Sequence, residues 1–325
     1  MHTSRRFTAP LAVLALGLTI AACGGDDNDS SASGGGGGEE SAQNLSGNVT
    51  LDGSSTVQPF AEAASELFNE QGNEVNVAVR GSGTGDGFEK FCRGETDIST
   101  ASRAIEAEEE DACKKGGIEF TEVQVANDGL TVVTNKDTAI ECLTVDQLKE
   151  IFGPDAKATK YNEIDPKLPD QEISLFTPGG ESGTFDFFTD EINGEEGEQR
   201  KGDILQTSSD DNQLVTGVSG QAGAMGYFGY SFYEQNQDKL NAVAVDGGDG
   251  CVKPSKETVA DGSYKPLSRP LFFYVSNKAL AKPEVKGFVE YSVNGSNEIA
   301  EASKIVPMSP EQLDKSKQTL SSAGQ

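Results

Sequence analysis

The body of this chain repeats one unit: an apolar stretch of strand length, a loop rich in Gly, Ser and Thr, then a helical period. Asn48 to Leu51 is a short strand that runs into Asp52-Gly53-Ser54-Ser55-Thr56-Val57. A helix follows from Pro59 to Glu70, with Phe60, Ala63, Ala64 and Leu67 on one face. Glu74 to Arg80 alternates as a strand, enters Gly81-Ser82-Gly83-Thr84-Gly85-Asp86-Gly87, and gives way to a helical Phe88 to Cys92. Asp97 to Thr100 ends a third strand before Ala101-Ser102-Arg103 and an acidic helix from Glu106. Ile118 to Val125 and Leu130 to Thr134 read as two further strands. Strands alternating with helices predict an α/β fold, each sheet mostly parallel and flanked by helices.

The second half carries the same signals. Thr144 caps a helix to Phe152, with Leu148 and Ile151 facing inward. Ile173 to Phe176 is a strand leading through Thr177-Pro178-Gly179-Gly180-Glu181-Ser182-Gly183-Thr184 into an aromatic-rich helix, Phe185 to Ile192. Ala222 to Gly226, Leu240 to Val245 and Leu271 to Ser276 read as strands, and the chain beyond Pro283 is mostly helical. We expect one lobe over 48–134, a second over 135–265, and a return segment, 266–325, completing mainly the first. A ligand would sit between the two lobes, where the chain crosses twice.

The amino-terminal residues predict export. Arg5 and Arg6 precede an apolar run that ends Leu18-Thr19-Ile20-Ala21-Ala22-Cys23. A basic start, a short apolar core and small residues before the cut make a signal peptide, 1–22. The run is well short of the roughly 20 residues that cross a bilayer as a helix. Cys23 stands where a lipidated cysteine would become the first mature residue. Residues 23–47 then form a Gly-, Ser- and acid-rich tether with almost nothing to bury. The arginine pair leaves Sec and twin-arginine export both open.

Composition removes several chemistries. His2, the single histidine, leaves with the signal, and no tryptophan exists. Histidine triads, histidine general bases and most zinc sites are therefore absent, so no metal or cofactor is expected. Without Arg5 and Arg6 the chain keeps 24 basic against 53 acidic side chains, a net charge of −29, which excludes a nucleic-acid surface. Cys92, Cys113, Cys142 and Cys251 remain after Cys23, an even set in an exported chain. Three pairings are open. Cys92–Cys113 with Cys142–Cys251 staples each lobe separately and is the one expected.

Three loops carry the chemical argument: Ser54–Val57, Gly81–Gly87 and Ser182–Thr184. Each leaves a strand at its carboxyl end and enters a helix, and ligands on open parallel sheets sit at that edge. A helix start offers unpaired N–H groups and about half a positive charge, suited to a small anion. Hydroxyls add donors and glycines admit close approach. Arg103, after a strand end, is the expected full charge, because its planar fork spans two oxygens. Only Arg80, Arg93, Arg103, Arg200 and Arg269 remain in the mature chain, with Arg80 and Arg269 next in line. Asp86 is the candidate acceptor for a ligand proton, with Asp52 and backbone carbonyls as rivals. The bland alternatives are helix caps at the hydroxyls, a solvated loop carboxylate at Asp86, and an Arg103 that merely pairs with Glu106 or Glu108. No GK[ST] follows the glycine loop and no G-x-S-x-G is present, so neither a Walker site nor a serine hydrolase elbow exists.

LDGSSTVQPFAEAASELF, VRGSGTGDGFEKFCRGETDISTASRAI, FTPGGESGTFDFFTDEI and AGAMGYFGYSFY occur in this order along the body. Together they resemble the PstS-type phosphate-binding lipoproteins of bacterial ABC transporters. The resemblance implies a two-lobed periplasmic-binding-protein fold that closes on dehydrated inorganic phosphate, works as a monomer and catalyses nothing. It implies delivery to an ABC permease with a cytoplasmic ATPase, from an extracytoplasmic position held to the cell membrane by lipid on Cys23. The family's phosphate contacts match Thr56, Val57, Thr84, Arg103, Ser182, Gly183 and Thr184, with Ser55 a neighbouring hydroxyl. In the best-known members an aspartate holds the position of Arg103, and an arginine holds that of Pro178. Proton-acceptor roles therefore do not transfer, and phosphate against sulfate stays open. A receptor for sulfate or another tetrahedral oxyanion, a phosphate-ester hydrolase, and a phosphate-sensing or adhesion protein are the alternatives.

Overall fold

The computed structural model describes residues 44–180 and 182–323; the signal peptide, Cys23 and most of the tether lie outside the described residues. The first part of the body runs β1 (Ser46–Gly53), α1 (Gln58–Glu70), β2 (Glu74–Arg80), α2 (Thr84–Cys92), β3 (Ile98–Ala101), α3 (Ala107–Gly116) and β4 (Phe120–Asn135). Next come β5 (Cys142–Thr144), α4 (Val145–Phe152), β6 (Ser174–Thr177), α5 (Gly183–Phe188), β7 (Leu205–Thr207) and α6 (Asp211–Gly220). They are followed by β8 (Ala224–Gly229), α7 (Tyr230–Gln235), β9 (Leu240–Ala242), β10 (Ala244–Asp246), β11 (Cys251–Val252) and α8 (Lys256–Ala260). The chain closes with β12 (Ser268–Ser276), α9 (Asn277–Leu280), α10 (Pro283–Asn294), α11 (Ser296–Ala302) and α12 (Pro310–Ala323).

The large sheet has the order β2-β1-β3-β12-β4-β8-β6-β7, with β9 also on β4; β11-β10-β5 form a small second sheet. Both flanks are parallel, β2-β1-β3 on one side and β8-β6-β7 on the other. The centre is antiparallel, because β12 returns between β3 and β4 and β8 runs against β4. Sheets are therefore mixed, and the parallel flanks are the parts whose carboxyl ends carry the three loops.

Two cores flank this centre. The first gathers Val49, Leu51, Phe60, Val125, Ala126, Phe273 and Phe288, the second Leu130, Val132, Leu148, Phe188, Tyr227 and Val245. Each large side chain removed from water stabilises the fold by roughly 1.5–3 kcal/mol, so each half has its own reason to be compact. The α1 face is Phe60, Ala61, Ala64 and Phe68, with Ala63 and Leu67 half-covered at its margin. Cys92–Cys113 joins α2 to α3 beside the first core, and Cys142–Cys251 joins β5 to β11 in the small sheet.

Asn127-Asp128-Gly129 interrupts the apolar pattern, and the two strands expected around it are in fact one, β4, 16 residues long. The polar residues are satisfied inside the strand. Asn127 exchanges backbone bonds with Val306 at 2.9 and 3.0 Å and donates through its side chain to Pro307 and Gln312. Asp128 takes Arg269 at 3.3 Å. A buried polar group is tolerated when it is paired, so the ladder continues. The first core stops at Ala126 and the second begins at Leu130, which makes this triplet the joint between them. Ile305 belongs to the first core and Val306 to the second, so a third segment joins β4 and the approach to β12 at the joint.

Two further elements differ from expectation. Leu240 to Val245 divides, β9 pairing with β4 and β10 with β5 in the other sheet. The helix from Phe185 widens into a π-helical turn, Thr189–Asn193. There the Thr189 hydroxyl donates to the Phe185 carbonyl at 2.9 Å, competing with the regular ladder. Phe188 stacks on Tyr227 with centroids 3.7 Å apart, which fixes α5 against the second core.

Candidate anion-binding cleft

The first loop owes its shape to Gly53. Its φ is +142°, and a Cβ there would overlap the Thr100 carbonyl, so the end of β1 lies flat on β3. Ser54 donates to that carbonyl at 2.9 Å, and its own carbonyl accepts from Val57 and Gln58 at 3.1 Å, which starts α1. The amides of Ser55 and Thr56 are left without an acceptor among the described residues.

The second loop is tied to the first, since the Gly83 amide donates to the Gly53 carbonyl at 2.8 Å. Regular bonding in α2 begins with Gly87 on Gly83, so the Thr84, Gly85 and Asp86 amides are first-turn donors. The Thr84 hydroxyl lies 3.2 Å from that of Ser102 and accepts the Ser102 amide. In the third loop Ser182 caps α5 by accepting the Thr184 amide at 3.3 Å. Gly183 meets the first loop directly. A Cβ at that position would stand 2.6 Å from the Ser55 hydroxyl and 2.9 Å from that of Thr56.

These loops enclose a cavity of about 650 Å³ whose lining includes Ser54, Ser55, Thr56, Thr84, Gly183 and both Arg103 and Arg269. Its walls differ in character. The donors come from the ends of β1, β2 and β3 together with Gly183 at the start of α5 and Arg269 of β12, while Asp186 within α5 and Asp190, Glu191 and Glu196 after it line the other side. Burial pushes the Asp186 carboxyl above its usual value, the Glu196 charge adds to this, and Arg269 opposes it.

Arg103 is in the cleft but already engaged. Both terminal nitrogens donate to Glu109 at 2.8 Å, and Glu106 lies 3.4 Å from its Nε. Burial acts to raise the Glu109 carboxyl, but the Arg103 and Glu106 bonds outweigh it and hold it below the ordinary range. Arg269 is more enclosed. Its Nη2 donates to the Thr56 hydroxyl at 2.9 Å, its Nε faces Asp128, and its guanidinium covers the Phe187 ring at 3.6 Å. Desolvation raises the Asp128 carboxyl, with the Arg269 charge pulling the other way.

Of the residues singled out in the sequence, Ser55, Thr56, Thr84, Asp86, Arg103 and Gly183 line the cavity. Val57 is buried as the residue before α1, and Ser182 and Thr184 shape the third loop from just behind the lining. The acidic wall was missed, and Arg269 ranked behind Arg103. The signal for Arg269 is its place in Ser268-Arg269-Pro270, at the mouth of β12, which begins at Ser268, three residues before the expected Leu271.

A family model described as the PBP superfamily domain matches residues 38–296. The chain belongs to the PBP superfamily. Protein SphX of Synechococcus elongatus is 44% identical over 80% of this chain and 77% of its own length. The phosphate-binding protein PstS of Staphylococcus saprophyticus is 43% identical over 75% of this chain and 74% of its own. A crystal structure described as a possible phosphate binding protein from Planctomyces limnophilus superposes with a TM-score of 0.81, at 40% identity, over 86% of this chain and all of that one. These relatives place the chain in the PstS-type branch of the PBP superfamily. The α/β architecture, with mixed sheets flanked by helices, is that of the periplasmic-binding-protein fold class.

Proposed function

We propose that this PBP-superfamily protein is a receptor, not an enzyme, that captures inorganic phosphate between its two lobes outside the cytoplasm and hands it to an ABC permease. One observation carries the reading: Gly183 of the second half abuts Ser55 and Thr56 of the first, whose amides have no acceptor among the described residues, so polar groups of both halves meet on one small cavity. In such a site fixed dipoles replace water around an anion, and in low dielectric they act strongly. Ser55, Thr56, Thr84 and Gly183 supply amides and hydroxyls from the lining, and Ser182 and Thr184 add hydroxyls at the third loop. Val57 holds the first loop through its bond to Ser54, and Arg103 with Arg269 supplies charge. Asp86 and Asp186 are the acceptors that favour a proton-bearing oxyanion, because fully deprotonated sulfate has no proton to give them.

Calorimetric competition tests this. Phosphate should bind, arsenate should displace it, and sulfate should not; sulfate binding as tightly as phosphate would replace the ligand. Lipid on Cys23 is the proposed tether to the membrane, with the permease and its ATPase beneath. Cys23→Ser should yield a folded phosphate binder in the soluble fraction, and its recovery in membranes would sink the anchor.

A further inference from the structure

We propose that Asp52 and Lys90 are a positioning pair that aims the first turn of α2 at the cleft, an inference that rests on the phosphate reading above. Asp52 is the last residue but one of β1, directly before Gly53 of the first loop, and is 1% exposed. One carboxylate oxygen accepts the Gly53 amide at 2.9 Å, the Ser82 hydroxyl at 2.7 Å and the Ser82 amide at 3.3 Å. The other takes the Lys90 ammonium at 2.7 Å, and the same ammonium donates to the Ser82 hydroxyl at 3.0 Å. Neither charged residue lines the cavity.

The geometry gives this triangle a task beyond stability. Ser82 is the residue before Gly83, whose amide is spent on Gly53. Lys90 lies six residues beyond Thr84, about 9 Å up the helix at 1.5 Å per residue. One end of α2 is therefore held by Ser82 and Gly83 and a point further along by Lys90, all on the same strand end. Two fixed points set both the direction and the rotation of a helix. The Thr84, Gly85 and Asp86 amides then face the cavity without further support. At Gly87 a Cβ would collide with the Gly53 backbone, so helix and strand touch directly.

Lys90 also cancels a charge. An unpaired carboxylate behind the anion loops would repel a bound anion through a medium that screens poorly. Burial acts to raise the Asp52 carboxyl, and the Lys90 and Ser82 bonds overturn that and keep it below its usual value, hence ionised. The ammonium is thus needed wherever the anion is.

The test uses the full chain with Lys90→Met, Lys90→Arg, Asp52→Asn and the double variant D52N/K90M. Phosphate affinity is measured by calorimetry, and amide exchange at Gly83 and Gly87 is followed without ligand. K90M should weaken phosphate at least tenfold and speed exchange at both amides. K90R should restore most of the affinity. The double variant leaves no buried charge and so separates folding from aim: its melt should recover while its affinity stays at least tenfold low. A double variant within twofold of wild type in affinity overturns the pair. Absence of phosphate binding by the wild type would instead remove the phosphate reading. The pair is then judged on exchange alone, and unchanged rates at Gly83 and Gly87 in K90M would overturn it.

Discussion

The guanidinium carbon of Arg269 lies 3.6 Å from the centroid of the Phe187 ring, so a residue at the mouth of β12 is capped by the helix of the third loop. The same side chain reaches Thr56 in the first loop and Asp128 at the joint of the two cores. One cation therefore touches both walls of the cleft and the strand that links them. A desolvated cation over an aromatic face is worth about 2 kcal/mol, which helps hold the loops together.

Arg269→Ala should be costly for folding. It leaves Asp128 buried without its partner, and breaking a buried pair costs about 3–5 kcal/mol. Thermal melts without ligand should show a large drop. R269M/D128N should recover most of it while binding phosphate at least about tenfold more weakly, the factor that corresponds to roughly 1.4 kcal/mol. A double variant with wild-type affinity would remove Arg269 from the anion's surroundings.

Arg103 should behave differently, because it is half-exposed and serves the cleft. Arg103→Ala should weaken phosphate at least about tenfold, since charge-assisted bonds contribute roughly 1.5–3 kcal/mol, with a smaller change in the melt. Arg103→Lys should recover part, keeping the charge but losing the fork. Glu109→Gln removes the anion that competes for this guanidinium and should tighten phosphate several-fold. The glutamine oxygen can still accept the Glu106 amide that caps α3. A weaker E109Q would mean that Glu109 serves mainly to hold Arg103 in place.

Asp211, which opens α6, has its carboxyl pushed up to about 6, by burial first, with Lys304 opposing and Asp210 adding. The folded state then binds a proton more readily than the unfolded chain, whose carboxyl titrates near the ordinary 3.8. Stability from this group is therefore lost as pH rises from about 4 to about 6 and stays lost above. Asp211→Asn should raise the melting temperature at pH 7 relative to wild type, and the gap should close towards pH 4. An equal gap at both pH values would sink the assignment.

The two disulfides close loops of unequal size, with separations of 21 and 109 residues. The chain-entropy account gives about 3 kcal/mol for a short loop and about 4.7 kcal/mol for a long one. Removing Cys142–Cys251 as a serine pair should therefore lower the melt more than removing Cys92–Cys113. The reverse order would point to native-state packing of α2 on α3 as the larger contribution.

The strand–loop–helix units, the three hydroxyl- and glycine-rich turns and the even cysteine set were legible in the chain because each rests on neighbours in sequence. Strand periodicity, helix capping at Thr144 and Ser182, and the glycine at position 53 are local matters of backbone sterics and hydrogen bonding. What the tertiary structure decided was pairing between distant residues. Asn127-Asp128-Gly129 separates two expected strands until Val306 and Arg269 arrive from the far end of the chain to satisfy it and make them one. Local pairing of Arg103 with the acidic helix is visible in the sequence at Glu106, but which turn of α3 takes the fork, Glu109 rather than Glu108, is set by how α3 packs. The one local mark of Arg269 is its place at the mouth of a strand, which says nothing of a cleft; the return of β12 beside β4 puts it under Phe187. A charge is placed by whatever neutralises it: for Arg103 the partners are near neighbours on α3, whereas for Arg269 and Asp128 they meet only across 141 residues of chain, beyond the reach of any local pattern.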